Sequence, residues 1–426
     1  MSDVPGGVEP LRPADGVVVV GAGQAGVQFA DSLRSGGFAG RIVLVGDEPC
    51  LPYQRPPLSK SHLSDLPGAD EPLPLRGSAF FDDVGIESRR GVSATAIDRP
   101  ARTVTLSNGE QLSYDRLVLA LGSRHRALDV PGAELDGVHR LRTVEDADRL
   151  RERLASVSSA VVVGAGFIGL EFAAAAVARG VATTVIASGG RPMPRSLTGA
   201  ASAQLADVHR RLGTTIRYGE RVAAILDVSG RAAGVRLESG ELVPADLVLL
   251  GVGAVAEDEL GARAGLATDD GILVDSRLGT RDPFVSAIGD CARFVDGDHG
   301  VARLESVQNA VDQARYLAAR LLGATNEPYR ATPRFWTHQG PLRLDIVGVP
   351  RPGLDVVVRG DVESGRFSIF GFSGDDLVSV ESFNAAADHL SARRCFDSGR
   401  LPSPSQAADP GFDLKAFSKE SPVSAA

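Results

Sequence analysis

Hydrophobic residues along this chain repeat one design twice. The β-branched run Val17–Val20 leads into a glycine cluster, an apolar-periodic stretch and a second apolar run reaching Gly46, as GVVVVGAGQAGVQFADSLRSGGFAGRIVLVGDE. About 143 residues further on, SAVVVGAGFIGLEFAAAAVARGVATTVIASGG follows the same order. A short β-branched run bounded by glycine reads as a strand buried on both faces, and the stretch after it carries helical periodicity. Each segment therefore predicts a strand, a Gly-rich turn, a helix and a second strand, which is a βαβ unit. The fold class expected is α/β, with two Rossmann-like dinucleotide-binding domains.

The remaining pattern completes those domains and adds a third. GVRLESGELVPADLVLLGVGAVAEDEL, ending at Leu260, is strand-rich and closes the second domain, and FVSAIGDCARF then returns the chain to the first. A helix is expected from about Glu305 to Leu322. Pro328–Pro333 reads as a linker into the alternating strands LRLDIVG, LDVVVRG and RFSIFGF, a smaller C-terminal α/β domain. The expected boundaries are a flexible lead at 1–14, a discontinuous first dinucleotide-binding domain at 15–125 and 250–330, a second at 126–249, the C-terminal domain at 331–410, and a tail at 411–426. From about Ser403 the Ser/Pro/Ala-rich sequence suggests loose attachment.

Composition narrows the function. A chain of 426 residues exceeds what one core usually supports, in keeping with several domains. Apolar runs such as Leu247–Val252 fall far short of the roughly 18 residues needed to span a bilayer, and the first residues lack the pattern of a secretion signal. A cytoplasmic protein is expected. A net charge of −9 argues against general nucleic-acid binding. Cys50, Cys291 and Cys395 form no CxxC or CxxxxC pair, which excludes a dithiol framework. Of 45 basic residues, three are lysine, and Lys415 and Lys419 lie near the end. Lys60 is thus the one lysine in the body of the chain, either an accidental survivor of codon bias towards arginine or a position that needs a compact ammonium, which a guanidinium fork does not imitate.

The motifs carry the chemistry. In Gly21-Ala22-Gly23-Gln24-Ala25-Gly26 the glycines permit a tight turn and bring backbone amides to a pyrophosphate at a helix N-terminus. Asp47 and Glu48, 21 and 22 residues after Gly26, end the second strand where an acid accepts hydrogen bonds from a ribose diol. The second motif is Gly164-Ala165-Gly166-Phe167-Ile168-Gly169. Here no Asp or Glu occurs between Glu171 and Asp207, and Ala187 or Ser188 takes the place of the ribose-reading acid. Arg179, Arg191 and Arg195 are the charges in that window. Loss of the acid removes repulsion against a 2′-phosphate, so NADPH is admitted beside the expected NADH. Glu171, two residues beyond Gly169, reads as a first-turn helix carboxylate favoured by the dipole.

Several further segments complete a resemblance. YQRPPLSK at 53–60, GAGFIGLE at 164–171, AIGDCA at 287–292, RLESVQNAVDQAR at 303–315 and FNAAADHLSARR at 383–394 occur in order. Together they resemble the FAD-dependent ferredoxin reductases, the group of putidaredoxin reductase, rubredoxin reductase and dioxygenase reductase components, with a glutathione-reductase-like fold. The resemblance implies that Arg55 contacts the FAD pyrophosphate and that Lys60, paired with Glu171, lies beside flavin N5. It implies that Asp290 holds the ribityl chain and that Glu305, Ser306 and Val307 lie near the pyrimidine end of the ring. Trp336 would face the flavin where nicotinamide stacks, and Ala120 and Gly122 would line the flavin side. A surface Asp, a helix-face Glu and a core Trp are the plain structural alternatives for Asp290, Glu305 and Trp336.

The implied activity is hydride transfer from NAD(P)H to FAD, then single electrons to a [2Fe–2S] or similar ferredoxin serving a cytochrome P450 or ring-hydroxylating oxygenase. No metal site is expected in the chain itself, and it would act as a monomer or homodimer. Three departures bear on nicotinamide choice and electron acceptor: Thr337-His338 for the usual Ser-Asp, Ala120-Leu121-Gly122 for Ala-Thr-Gly, and Ala187. Two other readings stay open, a single-cysteine NADH oxidase or disulfide reductase using Cys50, and a flavin-bearing interaction protein with slow turnover.

Overall fold

The structure is a computed structural model that describes residues 9–64, 71–296, 300–330 and 332–420. Most of the expected N-terminal lead and the last six residues lie outside the described residues. The chain forms two compact units, one of 1–54, 73–124 and 254–331, the other of 55–72, 125–253 and 332–426.

The first unit is built on a five-stranded parallel sheet. Its order is Val285–Ala287, Arg116–Leu119, Gly16–Val20, Arg41–Gly46, Ile86–Arg90. Val17 to Val20 and Ile42 to Val45 are almost fully buried, as strands covered on both faces require. The helices Gln24–Ser35 and Val307–Leu321 supply Phe29, Leu33, Ala314 and Leu317 to the same core. The second helix begins later than its sequence suggests, because the Ser306 hydroxyl accepts from the Asn309 amide and so caps it; Glu305 lies outside.

The second unit repeats the plan. Thr215–Tyr218, Ala182–Ala187, Ser159–Val163, Leu247–Leu250 and Val138–His139 form another five-stranded parallel sheet. The unit also holds a five-stranded antiparallel sheet in the order 334–339, 342–348, 376–383, 366–373, 355–361, with the helix Ala386–Ser398 packed on it. The outer strand Arg334–Gln339 and the central strand Asp376–Phe383 were not singled out from the sequence, since both mix polar with apolar residues.

Two placements differ from the sequence expectation. Residues 55–64 cluster with the second unit, because they are tied there by polar contacts: Arg55 to the Arg142 carbonyl at 2.6 Å, His62 to Asp148 at 2.8 Å, and Arg179 to the Leu63 carbonyl at 2.9 Å. The stretch after Ser403 is also firmly held up to residue 420. Ser403 and Gln406 form a capping box on a short helix, Leu414 is buried, and Arg359 and Arg400 bind the carbonyls of Asp409, Phe412 and Phe417. Guanidinium donors, Arg359 from the strand Asp355–Asp361 and Arg400 from just after the helix Ala386–Ser398, fix a segment that composition alone marks as loose.

Candidate functional site

The two glycine motifs are built alike to the level of single atoms. Gly21 N–H donates to the Val45 carbonyl and Gly164 N–H to the Ile186 carbonyl, both at 2.8 Å. A Cβ on Gly21 would stand 2.1 Å from the Ala120 carbonyl oxygen, and one on Gly164 2.3 Å from that of Gly251. Both residues also have positive φ, +112° and +111°, so a side chain is excluded twice. The last glycines, Gly26 and Gly169, press on the carbonyls of Gly21 and Gly164 and let helix and strand approach.

The middle glycines behave differently. An added Cβ at Gly23 or Gly166 would meet nothing within 4 Å. Each is the N-cap of its helix, and no side chain caps the helix there. Both turns thus leave bare backbone facing open space at a helix N-terminus, a cradle suited to a pyrophosphate. Ala22 and Ala25 keep the first turn small: Gly46 and Gly289 approach so closely that a Cβ on either would lie 2.6 Å and 3.0 Å from the respective alanine Cβ.

Strand register resolves which residues stand at the ribose positions. Val20 pairs with Val45 and Val163 with Ile186, so Asp47 corresponds to Ser188 and Glu48 to Gly189. Ala187 corresponds to Gly46. Glu48 is oriented by the Tyr53 hydroxyl at 2.5 Å, whereas Asp47 is exposed. In the second unit Arg191 spends its guanidinium on its own loop, donating to the carbonyls of Leu197, Thr198 and Pro194 and to the Ser202 hydroxyl. It pins the loop, and Arg195 is the exposed cation beside it.

In the first unit Gly289, next to Asp290, approaches Ala25, and Ala120 approaches Gly21, so both border the first cradle. Asp290 sits in the tight turn Gly289–Cys291, where Gly289 N–H donates to Gln313, and its carboxylate accepts from the Ser123 hydroxyl at 3.0 Å. Gly122 has φ +74° on the turn after Ala120. Glu305 is exposed and paired with Arg303, while Ser306 caps the helix that Val307 opens. Cys291 is fully buried, and burial pushes its thiol up to about 12, which makes it inert.

Lys60 and Glu171 meet in the second unit. Lys60 Nζ lies 2.7 Å from Glu171 Oε2 and 3.0 Å from the Pro56 carbonyl. The helix starts at Phe167 after the Gly166 cap, so Glu171 stands past the first turn, and the dipole argument made from the sequence does not hold it there. Side chains hold it instead. The Ser59 hydroxyl donates to Oε2 and the Thr337 hydroxyl to Oε1 at 2.6 Å, and Glu171 is 3 % exposed. The strand Arg334–Gln339 alternates, so Thr337 and Gln339 point inward while Trp336 and His338 share the opposite, more open face. Partial burial, then the charges of Lys60 and Arg343, lower the His338 pKa and favour its neutral form. Phe167 packs against Phe335, whereas Ile168 is 40 % exposed.

Sequence reasoning missed Ser59, Thr337 and Gln339 as partners of the pair. The inward alternation of Thr337 and Gln339 was the available signal.

Two such cradles, each at the end of its own parallel sheet, define an oxidoreductase of the two-dinucleotide class. Residues 15–314 match the pyridine nucleotide-disulphide oxidoreductase family model, and 334–418 match the reductase C-terminal model. Rhodocoxin reductase of Rhodococcus erythropolis is 49% identical over 400 residues, 94% of this chain and 93% of that protein. The crystal structure of the ferredoxin reductase for the CYP199A2 system of Rhodopseudomonas palustris superposes with a TM-score of 0.91 at 45% identity, covering 95% and 100% of the two chains. The putidaredoxin reductase of the covalent putidaredoxin reductase–putidaredoxin complex gives 0.89 at 36%, covering 95% and 98%. The chain belongs to the pyridine nucleotide-disulphide oxidoreductase family, among its ferredoxin reductases.

Proposed function

We propose that this protein takes electrons from NADH through FAD to a small [2Fe–2S] ferredoxin that serves a cytochrome P450 or ring-hydroxylating oxygenase. The observation that carries the reading is the pair of open cradles at Gly23 and Gly166, each able to take one pyrophosphate. FAD fits the first, where Glu48 stands oriented at the ribose position, and the nicotinamide cofactor fits the second. When bound, FAD supplies the conversion between two-electron hydride chemistry and one-electron delivery.

The chain's own residues bind and orient. Backbone amides after Gly23 and Gly166 receive phosphate charge, Asp290 offers a carboxylate to hydroxyls of the ribityl chain, and Arg55 offers its guanidinium to the FAD pyrophosphate. Lys60, held by Glu171, serves the flavin as an oriented ammonium. Trp336 and His338, on the open face of their strand, serve the nicotinamide side.

NADH is favoured over NADPH because Arg191 is committed to its own loop, which leaves Arg195 as the remaining cation for a 2′-phosphate. Cytoplasmic location accords with there being, among the described residues, no helix long and apolar enough to cross a membrane. The relatives named for rhodocoxin and putidaredoxin support a ferredoxin-type acceptor over thiol chemistry at Cys50. The test is reduction of bound flavin by stoichiometric NADH followed by reoxidation by ferredoxin. Flavin that stays oxidised would leave the slow-turnover interaction protein as the better reading.

A further inference from the structure

Within the second unit, a buried polar chain runs away from Glu171. Thr337 Oγ1 is 2.6 Å from Glu171 Oε1, Gln339 Nε2 is 3.0 Å from Thr337 Oγ1, and Gln339 Oε1 is 2.6 Å from His209 Nε2. His209 Nδ1 ends the chain on the Thr214 hydroxyl at 3.2 Å. Thr337, Gln339 and His209 are all 0 % exposed. They come from the C-terminal sheet and from the helix Gly199–Leu212, and no step of the activity uses them.

The polarity of this chain follows from its charged end. Glu171 accepts from Lys60 and Ser59 on one oxygen, and as an anion it has no proton to give, so Thr337 must donate to the other. A hydroxyl has one proton, so Thr337 must accept from Gln339, which places the amide nitrogen there. The amide oxygen then faces His209, whose Nε2 must carry the hydrogen. Burial lowers the His209 pKa and keeps the ring neutral, which leaves Nδ1 to accept from Thr214. Reversing any one link leaves two donors or two acceptors facing each other in a dry interior, a cost comparable to losing a buried hydrogen bond outright.

We propose that His209 is a positioning residue for the Lys60–Glu171 pair: through Gln339 and Thr337 it saturates Oε1 of Glu171 and leaves Oε2 to Lys60. This rests on the proposed role of Lys60. The helix that follows the nicotinamide-binding strand is thereby coupled to the ammonium by a one-way hydrogen-bond chain. The coupling requires no movement of the backbone.

The test reads His209 directly in the flavin-loaded protein. Nitrogen-15 side-chain spectra, assigned through the signal lost in His209→Gln, should show a neutral ring protonated at Nε2. In Glu171→Gln the amide at position 171 can donate to Thr337, so the polarity is released and the Nδ1–H tautomer should grow in. An Nδ1–H ring in the parent protein, or a tautomer unchanged in Glu171→Gln, overturns the proposal whatever the electron acceptor is. In a second arm, His209→Phe should slow flavin reduction about 3- to 10-fold with half-saturation by NADH within about twofold, and His209→Gln should recover most of the loss. Equal rates in the two folded variants would also overturn it.

Discussion

Lys60 Nζ and Glu171 Oε2 lie 2.7 Å apart, the lysine side chain 17 % exposed and the glutamate side chain 2 %. Removing the cation leaves a buried anion with two hydroxyl donors, Ser59 and Thr337. Lys60→Met should therefore cost about 1–3 kcal/mol, below the range for a wholly buried pair because solvent reaches the lysine. Urea denaturation measures the cost. The same variant should reduce its flavin more slowly than the parent at normal flavin content, and an unchanged rate would remove Lys60 from the mechanism.

The glycine motifs predict opposite outcomes for neighbouring substitutions. Gly21→Ala sets a Cβ 2.1 Å from the Ala120 carbonyl oxygen at positive φ, so it should fail to fold or lose several kcal/mol. Gly23→Ala meets no atom within 4 Å beyond its own chain neighbours, so it should fold normally and be purified with reduced flavin content. Gly166→Ala should keep full flavin and raise the NADH concentration needed for half-maximal reduction. Absorbance of the bound flavin and reduction kinetics separate the three.

Cofactor choice should respond to the register found at the end of the strand Ala182–Ala187. Gly189→Glu restores an acid where Glu48 stands in the first motif and should lower the use of NADPH relative to NADH by about tenfold, or about 1.4 kcal/mol. Arg195→Ala should lower NADPH use selectively. Arg191→Ala should weaken both cofactors alike, since it releases the loop through the carbonyls of Leu197 and Thr198. Steady-state comparison with both nicotinamides distinguishes these patterns.

Glu381 is fully buried, and desolvation raises its pKa to about 7 although Thr198 donates to it through both N–H and Oγ1 at 2.6 Å. Its folded value exceeds the unfolded one, so the contribution to stability is complete below about pH 4 and is lost as pH rises through about 7. Thermal unfolding should show the parent losing about 2–3 kcal/mol of this contribution between about pH 5 and pH 8. Glu381→Gln should flatten that slope.

Local pattern made the two βαβ units legible, because a buried parallel strand, a glycine turn and an apolar helix are all encoded within some thirty residues. The pairing of Lys60 with Glu171 was legible through the resemblance of YQRPPLSK and GAGFIGLE to the ferredoxin reductases, while the residues alone marked only Lys60 as unusual. What the sequence concealed was long-range. Ser59, Thr337, Gln339 and His209 are ordinary polar residues until the fold brings three remote segments together around one carboxylate. The start of the helix at Val307 was hidden by Ser306, whose capping bond outweighs the apolar periodicity around it. Arg191 looked available for a phosphate because its partners are backbone carbonyls, which no composition reveals.

The most direct measurement is anaerobic stopped-flow mixing of the flavin-loaded protein with stoichiometric NADH, then with an oxidised [2Fe–2S] ferredoxin. The account predicts rapid bleaching of the flavin, faster with NADH than with NADPH, followed by reduction of two equivalents of ferredoxin per NADH. Flavin that remains oxidised after NADH addition, or reduced flavin that passes no electrons to the ferredoxin, would contradict it.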